Sequence, residues 1–514
     1  MNKILLIPLD ERPCNYDFPQ MLAAGSDCQL MVPPREILGK KKQAGDVDAI
    51  WKWLVDNIED CSNAIISIDT LLYSGIVPSR LHYYSSDVLI KRLNKLREIK
   101  KLRPDICLYA FNLIMRNPSY SSSDEEPDYY GQWGRQIHRY GYLTHKKELG
   151  IADDAELSEL EDINRELPEK YLKDYYDRRK INLEINKEVI KLASDNVLDF
   201  VIIPQDDASP YGVTAKDQQI IRSRIDDLKV NFKVYMYPDA DAVANTLLAR
   251  VINKIHNRRP FVYVKYASSI GGGVIPLYED RIVSETIKYQ ILAAGGLTAS
   301  SADEADIILM INVPGGEMQD RLQEPDPVNG EIIRHTIQYD AFRNLIEMLE
   351  YAEYEIEYKH KDVIFGDIAY GNGGDDHLFS LLQQKKLLWK LAGYAGWNTS
   401  SNTLGTCIPM GMLHHIFGTT KESLKFLSLR YLEDIAYSVF VRRDVTDNDL
   451  EKLGLTEEKL DGQRGKVSEI VLRKLQEFAD SNLSDERYSV VVKDCYMPWS
   501  RMFEAGIKTD VILK

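Results

Sequence analysis

The chain has 514 residues, 44% apolar and 28% charged, the composition expected of a soluble globular protein long enough to bury two or three cores. A formal net charge of −15 opposes a nucleic-acid partner, because phosphate binding needs a basic field. No stretch approaches the ~20 apolar residues of a membrane helix, and no membrane partner is expected. Six cysteines (Cys14, Cys28, Cys61, Cys107, Cys407, Cys495) are scattered without CxxC spacing, and the apolar start Ile4–Ile7 is too short for a secretory signal. A reduced, cytoplasmic protein is the expectation.

In chain order, residues 3–8 predict a strand followed by Leu9-Asp10-Glu11-Arg12-Pro13, dense in functional side chains. Residues 29–32 predict a second strand and 49–58 a helix. Residues 64–68 predict a third strand running into Asp69, Tyr73 and Arg80. An amphipathic helix follows over 88–100, then a strand over 106–113 whose rim carries Arg116. Ser121 to Tyr130, with serines and early acids, reads as the start of a long helical insertion, about 121–197, of a size that often walls a cleft or forms a lid.

Val201-Ile202-Ile203-Pro204-Gln205 predicts a buried parallel strand, and Asp206-Asp207 sits just past its C-terminal end with Tyr211-Gly212 beyond. In parallel α/β sheets ligands bind at that end of the strands. Adjacent carboxylates repel, so one is expected to hold a proton near neutral pH beside an ionised partner. A strand at 233–237 then leads to Asp239, a substrate-contact candidate that could instead cap the next helix.

The second half repeats strand, polar loop and helix. Strands are expected at 261–266, 307–312 and 363–366, with a polar set at Asp367, Asn372, Asp375, Trp397 and Asn398. Beyond about 420 the chain reads as mainly helical with a last strand at 488–492. The fold class is therefore α/β: two lobes with mainly parallel sheets, 1–257 with the insertion and 258–514 with a helical C-terminal region. The alternative is a (β/α)8-like barrel with a C-terminal extension.

Several stretches together resemble a bacterial domain-of-unknown-function family, number 4127. They are Leu9-Asp10-Glu11-Arg12-Pro13, Asp69-Thr70-Leu71-Leu72-Tyr73 with Val77-Pro78-Ser79-Arg80, Met115-Arg116, Glu125-Glu126-Pro127-Asp128-Tyr129, Gln205-Asp206-Asp207 and Ala395-Gly396-Trp397-Asn398-Thr399. The resemblance implies bacterial origin and brings no catalytic residue. More loosely, Asp206-Asp207 is similar to the acid pair of retaining hexosaminidases that use the substrate's acetamido group as nucleophile. That likeness implies that Asp206 orients the acetamido group and Asp207 protonates the departing oxygen.

The function these residues favour is carbohydrate hydrolysis, with Asp206 and Asp207 catalytic and no cofactor. Substrate contacts are expected from Asp10, Glu11, Arg12, Asp69, Tyr73, Arg80, Arg116, Tyr211, Asp239, Asn372, Trp397 and Asn398, and the partner is a small-molecule or oligosaccharide substrate. A second reading is a metal-dependent hydrolase binding Mg²⁺ or Mn²⁺ through Asp10, Asp69, Asp206, Asp207 and Asp239. The third is a two-lobed sugar-binding protein without chemistry.

Overall fold

The computed structural model describes residues 2–322 and 336–514. The chain divides into two compact units: Met1–Glu11, Gln29–Ala244 and Tyr278–Asp280 form the first, while Arg12–Cys28, Asn245–Leu277 and Arg281–Lys514 form the second. Compared with the boundary expected at 257/258, the division falls earlier and the helix Pro13–Ala24 goes with the second unit. Packing explains that membership. Phe18 of this helix meets Trp397 and Phe426 edge-on at 5.7 and 5.5 Å, and the Arg430 guanidinium lies 4.0 Å from its ring centre.

In the first unit the strands are β1 (Asn2–Ile7), β2 (Cys28–Met31), β3 (Asn63–Ser67), β4 (Cys107–Phe111), β5 (Phe200–Ile202) and β6 (Val234–Tyr235). They stand in the order β2-β1-β3-β4-β5-β6. The β1–β3, β3–β4, β4–β5 and β5–β6 pairs are all parallel. Ile4–Ile7, Ala64–Ile66, Leu108–Phe111 and Phe200–Ile202 are buried, as continuous apolar runs must be when helices cover both faces. Parallel pairing puts the loops after β1, β3, β4, β5 and β6 along one edge. The order reverses between β1 and β3, which opens a crevice at that edge. Thr70 ties the first two loops together by donating from Oγ1 to the carbonyls of Pro8 and Leu9 at 2.6 and 2.8 Å.

The insertion forms three helices, Tyr130–Glu148, Asp154–Glu166 and Glu169–Ser194. Its start differs from expectation: the first helix begins at Tyr130, and the acids at 125–126 lie before it, where arginines hold them instead of a helix terminus. The expected helix over 88–100 is likewise two, Ser86–Leu93 and Lys95–Leu102, divided at Asn94.

The second unit holds β7 (Phe261–Tyr266), β8 (Leu297–Thr298), β9 (Ile307–Asn312), β10 (Gln319–Asp320), β11 (Asp362–Asp367), β12 (Tyr370–Gly371) and β13 (Gly393–Ala395). Five of them make a parallel sheet in the order β13-β11-β9-β7-β8, and β10 pairs with β12. Two separate sheets, each with its own edge strands, exclude the barrel alternative. The last strand extends further than expected, as β14 (Tyr488–Tyr496), and pairs antiparallel with β15 (Gly506–Leu513). Among the described residues no helix is long and apolar enough to cross a membrane.

Gly134 offers a test of how tightly the insertion is fastened to the sheet edge. A Cβ there would stand 2.7 Å from the Tyr120 carbonyl oxygen and 2.3 Å from the Tyr130 ring. Helix propensity alone favours Gly134→Ala by about 1 kcal/mol, but overpacking against backbone costs about 1–3 kcal/mol. Urea unfolding should therefore show Gly134→Ala to be less stable than the parent; a gain in stability would mean that the helix stands off the Tyr120 loop.

Candidate active site

The rim that the sheet creates carries opposite charges from distant parts of the chain. Gln205 prolongs β5 by parallel bridges to Ile114 and Pro238, and the Asp239 amide donates to the Gln205 carbonyl at 3.2 Å. The chain then leaves the sheet at Asp206, and Asp207 adopts φ = +46°, a left-handed conformation that Asp tolerates better than most residues. The two carboxyls are thereby delivered to the sheet edge where β3 and β4 present Arg80 and Arg116.

Arg80 donates from Nη2 to Asp206 Oδ2 at 2.8 Å and from Nη1 to Glu125 Oε2 and Glu126 Oε1 at 3.1 and 3.3 Å. Arg116 reaches three acids: Nε donates to Glu126 Oε1 at 2.8 Å, Nη1 to Asp207 Oδ2 at 3.2 Å and Nη2 to Glu125 Oε2 at 3.2 Å. Arg116 Nη1 also lies 3.9 Å from Asp206 Oδ2, so one nitrogen faces both members of the pair. Two guanidinium groups thus meet four carboxyls, and the excess negative charge in a largely buried cluster is relieved by retaining protons. Burial first, and then repulsion from Asp207, pushes the Asp206 carboxyl up to about 6. Burial also raises Asp207, against the pull of Arg116 and Arg80. The pair shares its proton and titrates as a unit.

The helix Glu169–Ser194 supports this rim. Tyr175, Arg179, Asn182 and Asn186 recur at helical spacing and point to one side. Tyr175 donates to the Arg116 carbonyl at 2.6 Å, Arg179 to that of Met115 at 2.6 Å, and Asn186 to Asn112 Oδ1 at 2.6 Å. Asn182 Oδ1 accepts from Tyr73 at 3.1 Å and lies 2.8 Å from His82 Nε2. His82 Nδ1 in turn accepts the Tyr84 amide, which fixes the neutral Nε2–H tautomer; burial accordingly pushes His82 down to about 4. The insertion is a brace locked into the rim.

Several expected contacts have structural employment. Tyr73 is buried and stacks on His82 at 4.5 Å, so its ring face is taken. Asp69 accepts from Asn112 Nδ2 and the Leu113 amide at 3.2 and 3.0 Å, and burial pushes it up to about 6. Asp239 Oδ1 accepts the Ala240 and Ala242 amides at 2.7 and 3.2 Å, which closes the turn ahead of the helix Val243–Ile255. Tyr211 is half-buried, with its ring edge-on to Tyr142 at 5.6 Å. Asp10 is buried after β1, and its Cβ would lie 3.9 Å from one placed on Gly75; Glu11 follows it half-buried.

Arg12, Asn372, Trp397 and Asn398 belong to the second unit. Arg12 lies 4.6 Å from the Trp499 ring centre. Asn372 donates to both oxygens of Asp320 at 3.1 and 2.9 Å, Trp397 Nε1 donates to Thr406 at 3.1 Å, and Asn398 donates to Asn402 at 2.8 Å. This unit has its own buried network at the ends of β9 and β11. Asn312 donates to Asp367 and Asp375 at 2.8 and 3.1 Å, Tyr394 donates to Asp367 at 2.7 Å, and Arg343 donates to Asp375 at 2.5 Å. Burial raises Asp367 to about 6, whereas at Asp375 burial is outweighed by Arg343 and the value falls. All of these carboxyls are dehydrated and hydrogen-bonded, which suits them to hold loops in place.

Sequence reasoning left out Glu125, Glu126 and Asn182. Two arginines on an acidic chain's rim imply matching acids, and Glu125-Glu126 stood within the stretches that carry the family resemblance. Among the described residues no three His, Cys, Asp or Glu side chains are grouped as ligands for one metal ion. Asp206, Asp207, Glu125 and Glu126 are instead grouped around guanidinium donors.

A family model described as "Protein of unknown function (DUF4127)" matches residues 4–508. No curated protein and no solved structure matches the chain.

The shared proton has a measurable signature. Native Asp206 binds a proton at pH values where the unfolded carboxyl, near 3.8, has lost it, so stability present below pH 4 is lost as pH rises towards 6. Asp69 contributes a slope of the same sign. Asp206→Asn removes one such contribution, and urea melts at pH 4.5 and 7.5 should show a smaller decline than in the parent, by about 1.4 kcal/mol per unit of displacement. An unchanged decline would remove Asp206 as a titrating group.

Proposed function

We infer that this chain, which belongs to the DUF4127 family, is a glycoside-processing hydrolase that works by carboxyl acid–base chemistry at Asp206 and Asp207. The observation that carries the reading is the adjacent pair itself, held at the sheet edge by two guanidinium groups, with burial raising both carboxyls. Glycosidic cleavage needs such a combination, one protonated carboxyl to donate to the departing oxygen and one ionised group to stabilise an oxocarbenium-like centre or orient the nucleophile. Asp207 is assigned the donor role: the proton the pair retains passes to it, and Asp206, paired with Arg80, is then the ionised member. The proton given to the leaving group returns when the incoming nucleophile, water or its equivalent, is deprotonated by the same pair.

Arg80 and Arg116 act in this reading by holding the acids, while Asp69 and Tyr73 position the rim. Tyr211 remains the aromatic candidate for contact with a sugar face. The same reading places the protein in the reducing cytoplasm, supported by six cysteines that are all free thiols.

A panel of aryl glycosides and N-acetylaminosugar substrates tests the assignment. Turnover is expected to resist EDTA, to fall as pH rises above about 6, and to drop by about 10²–10⁴ in kcat in Asp207→Asn. Full activity in that variant, or no turnover of any acetal by the parent protein, would sink the proposal; turnover abolished by EDTA would transfer the chemistry to a metal.

A further inference from the structure

Beside the acid pair the first unit has an open pocket of about 620 Å³ lined by Ser119, Tyr120, Ser121, Arg135, His138 and Arg139. That volume is within the range of small-ligand sites and holds a monosaccharide with a substituent. Its lining is unusual for a chain of net charge −15: two guanidiniums, an imidazole and three hydroxyls, with no acid among the six. The pocket adjoins the loop that carries Arg116: its His138 meets the carbonyl of Asn117, the residue after Arg116, and Arg116 in turn donates to Asp207. Arg116 pulls the Tyr120 phenol down, but burial and the charges of Asp207, Glu125 and Glu126 raise it overall, so its hydroxyl lies in the field of the catalytic cluster. The residue nevertheless keeps 44% of its surface exposed.

The donors in this pocket have unequal freedom. Arg139 is anchored to Glu159 by Nε at 2.8 Å and Nη2 at 2.5 Å. His138 holds its Nδ1 2.8 Å from the Asn117 carbonyl, which makes Nδ1 the protonated nitrogen and leaves Nε2 an acceptor, suited to a ligand hydroxyl and not to an oxyanion. The Arg135 amide donates to Ser121 Oγ at 3.1 Å, yet its guanidinium makes no hydrogen bond or ion pair among the described residues. An exposed guanidinium in a pocket that also carries hydroxyls is suited to an oxyanion, to which it can give paired hydrogen bonds.

We propose that the substrate bears an oxyanion, a phosphate, sulfate or carboxylate on the sugar, which seats against Arg135 while the glycosidic bond lies at Asp206 and Asp207. The proposal rests on the glycosidase reading above for the identity of the sugar, and on the pocket alone for the charge. Within the pocket, Arg135 is the specificity determinant. Ser119 and Ser121 supply hydroxyl donors.

Titration calorimetry of the full chain with glucose 6-phosphate, glucose 6-sulfate, glucuronic acid, inorganic phosphate and glucose tests the charge directly. At least one charged sugar is expected to bind 10-fold or more tighter than glucose, and the one that does identifies the oxyanion. Arg135→Ala should weaken that probe about 10-fold, Arg135→Lys should restore part of the loss, and the glucose affinity should stay as in the parent. The proposal is overturned if glucose binds as well as the charged sugars, if no probe binds, or if Arg135→Ala changes nothing. Aryl glycoside turnover separates the two readings. Charge-selective binding with no turnover would leave the pocket standing and remove the hydrolase, whereas turnover of neutral glycosides without charge-selective binding would do the reverse.

Discussion

The first unit's sheet edge is governed by the meeting of Arg80 and Arg116 with Asp206, Asp207, Glu125 and Glu126. Each guanidinium is buried and each is shared among acids from two different loops. Taking such charges out of water costs several kcal/mol per ion, which only a nearly complete set of hydrogen bonds offsets. Removing one partner therefore leaves the others stranded, and the cluster acts as a unit. Because the acids outnumber the cations, its electrostatics also leave a proton on the rim at a pH where an ordinary aspartate has none.

That cluster explains the long insertion. Loops with buried ionic groups need their backbone fixed, since a displacement of about 1 Å forfeits most of a hydrogen bond. The helix Glu169–Ser194 supplies the fixing from one face, by hydrogen bonds to the carbonyls of Met115 and Arg116 and to Asn112. His82 belongs to the same scaffold: its neutral tautomer is dictated by Asn182 on one nitrogen and the Tyr84 amide on the other. A histidine so placed is a fixed strut, unavailable for proton transfer near neutral pH.

The second unit uses similar residues differently. Asp367 ends β11 much as Asp206 follows β5, and Asp375 caps the helix Asp376–Gln384 beside it, but Asn312, Arg343, Tyr394 and backbone amides occupy their oxygens, and they are almost wholly dehydrated. A buried carboxyl pair beside the end of a parallel strand is therefore insufficient to mark a reaction centre. Partial exposure distinguishes the first pair, each member of which leaves 17% of its side chain open.

Alternation of apolar runs with polar loops and amphipathic helices determined the α/β class, the parallel strands and the position of Asp206-Asp207 at a strand's end, because each is a property of a short stretch. Strands at 261–266 and 307–312 were legible to the residue for that reason. The tertiary structure alone decided which charges meet. Arg80 and Asp206 are separated by 126 residues, and nothing local says that the acids at 125–126 serve arginines instead of a helix start, or that Asp69 is held by Asn112. The helix at residues 13–24 joined the second unit for the same cause, since its aromatic contacts come from Trp397 and Phe426. Periodicity reports which face of a segment avoids water; the partner that covers it is set by the packing of the whole chain.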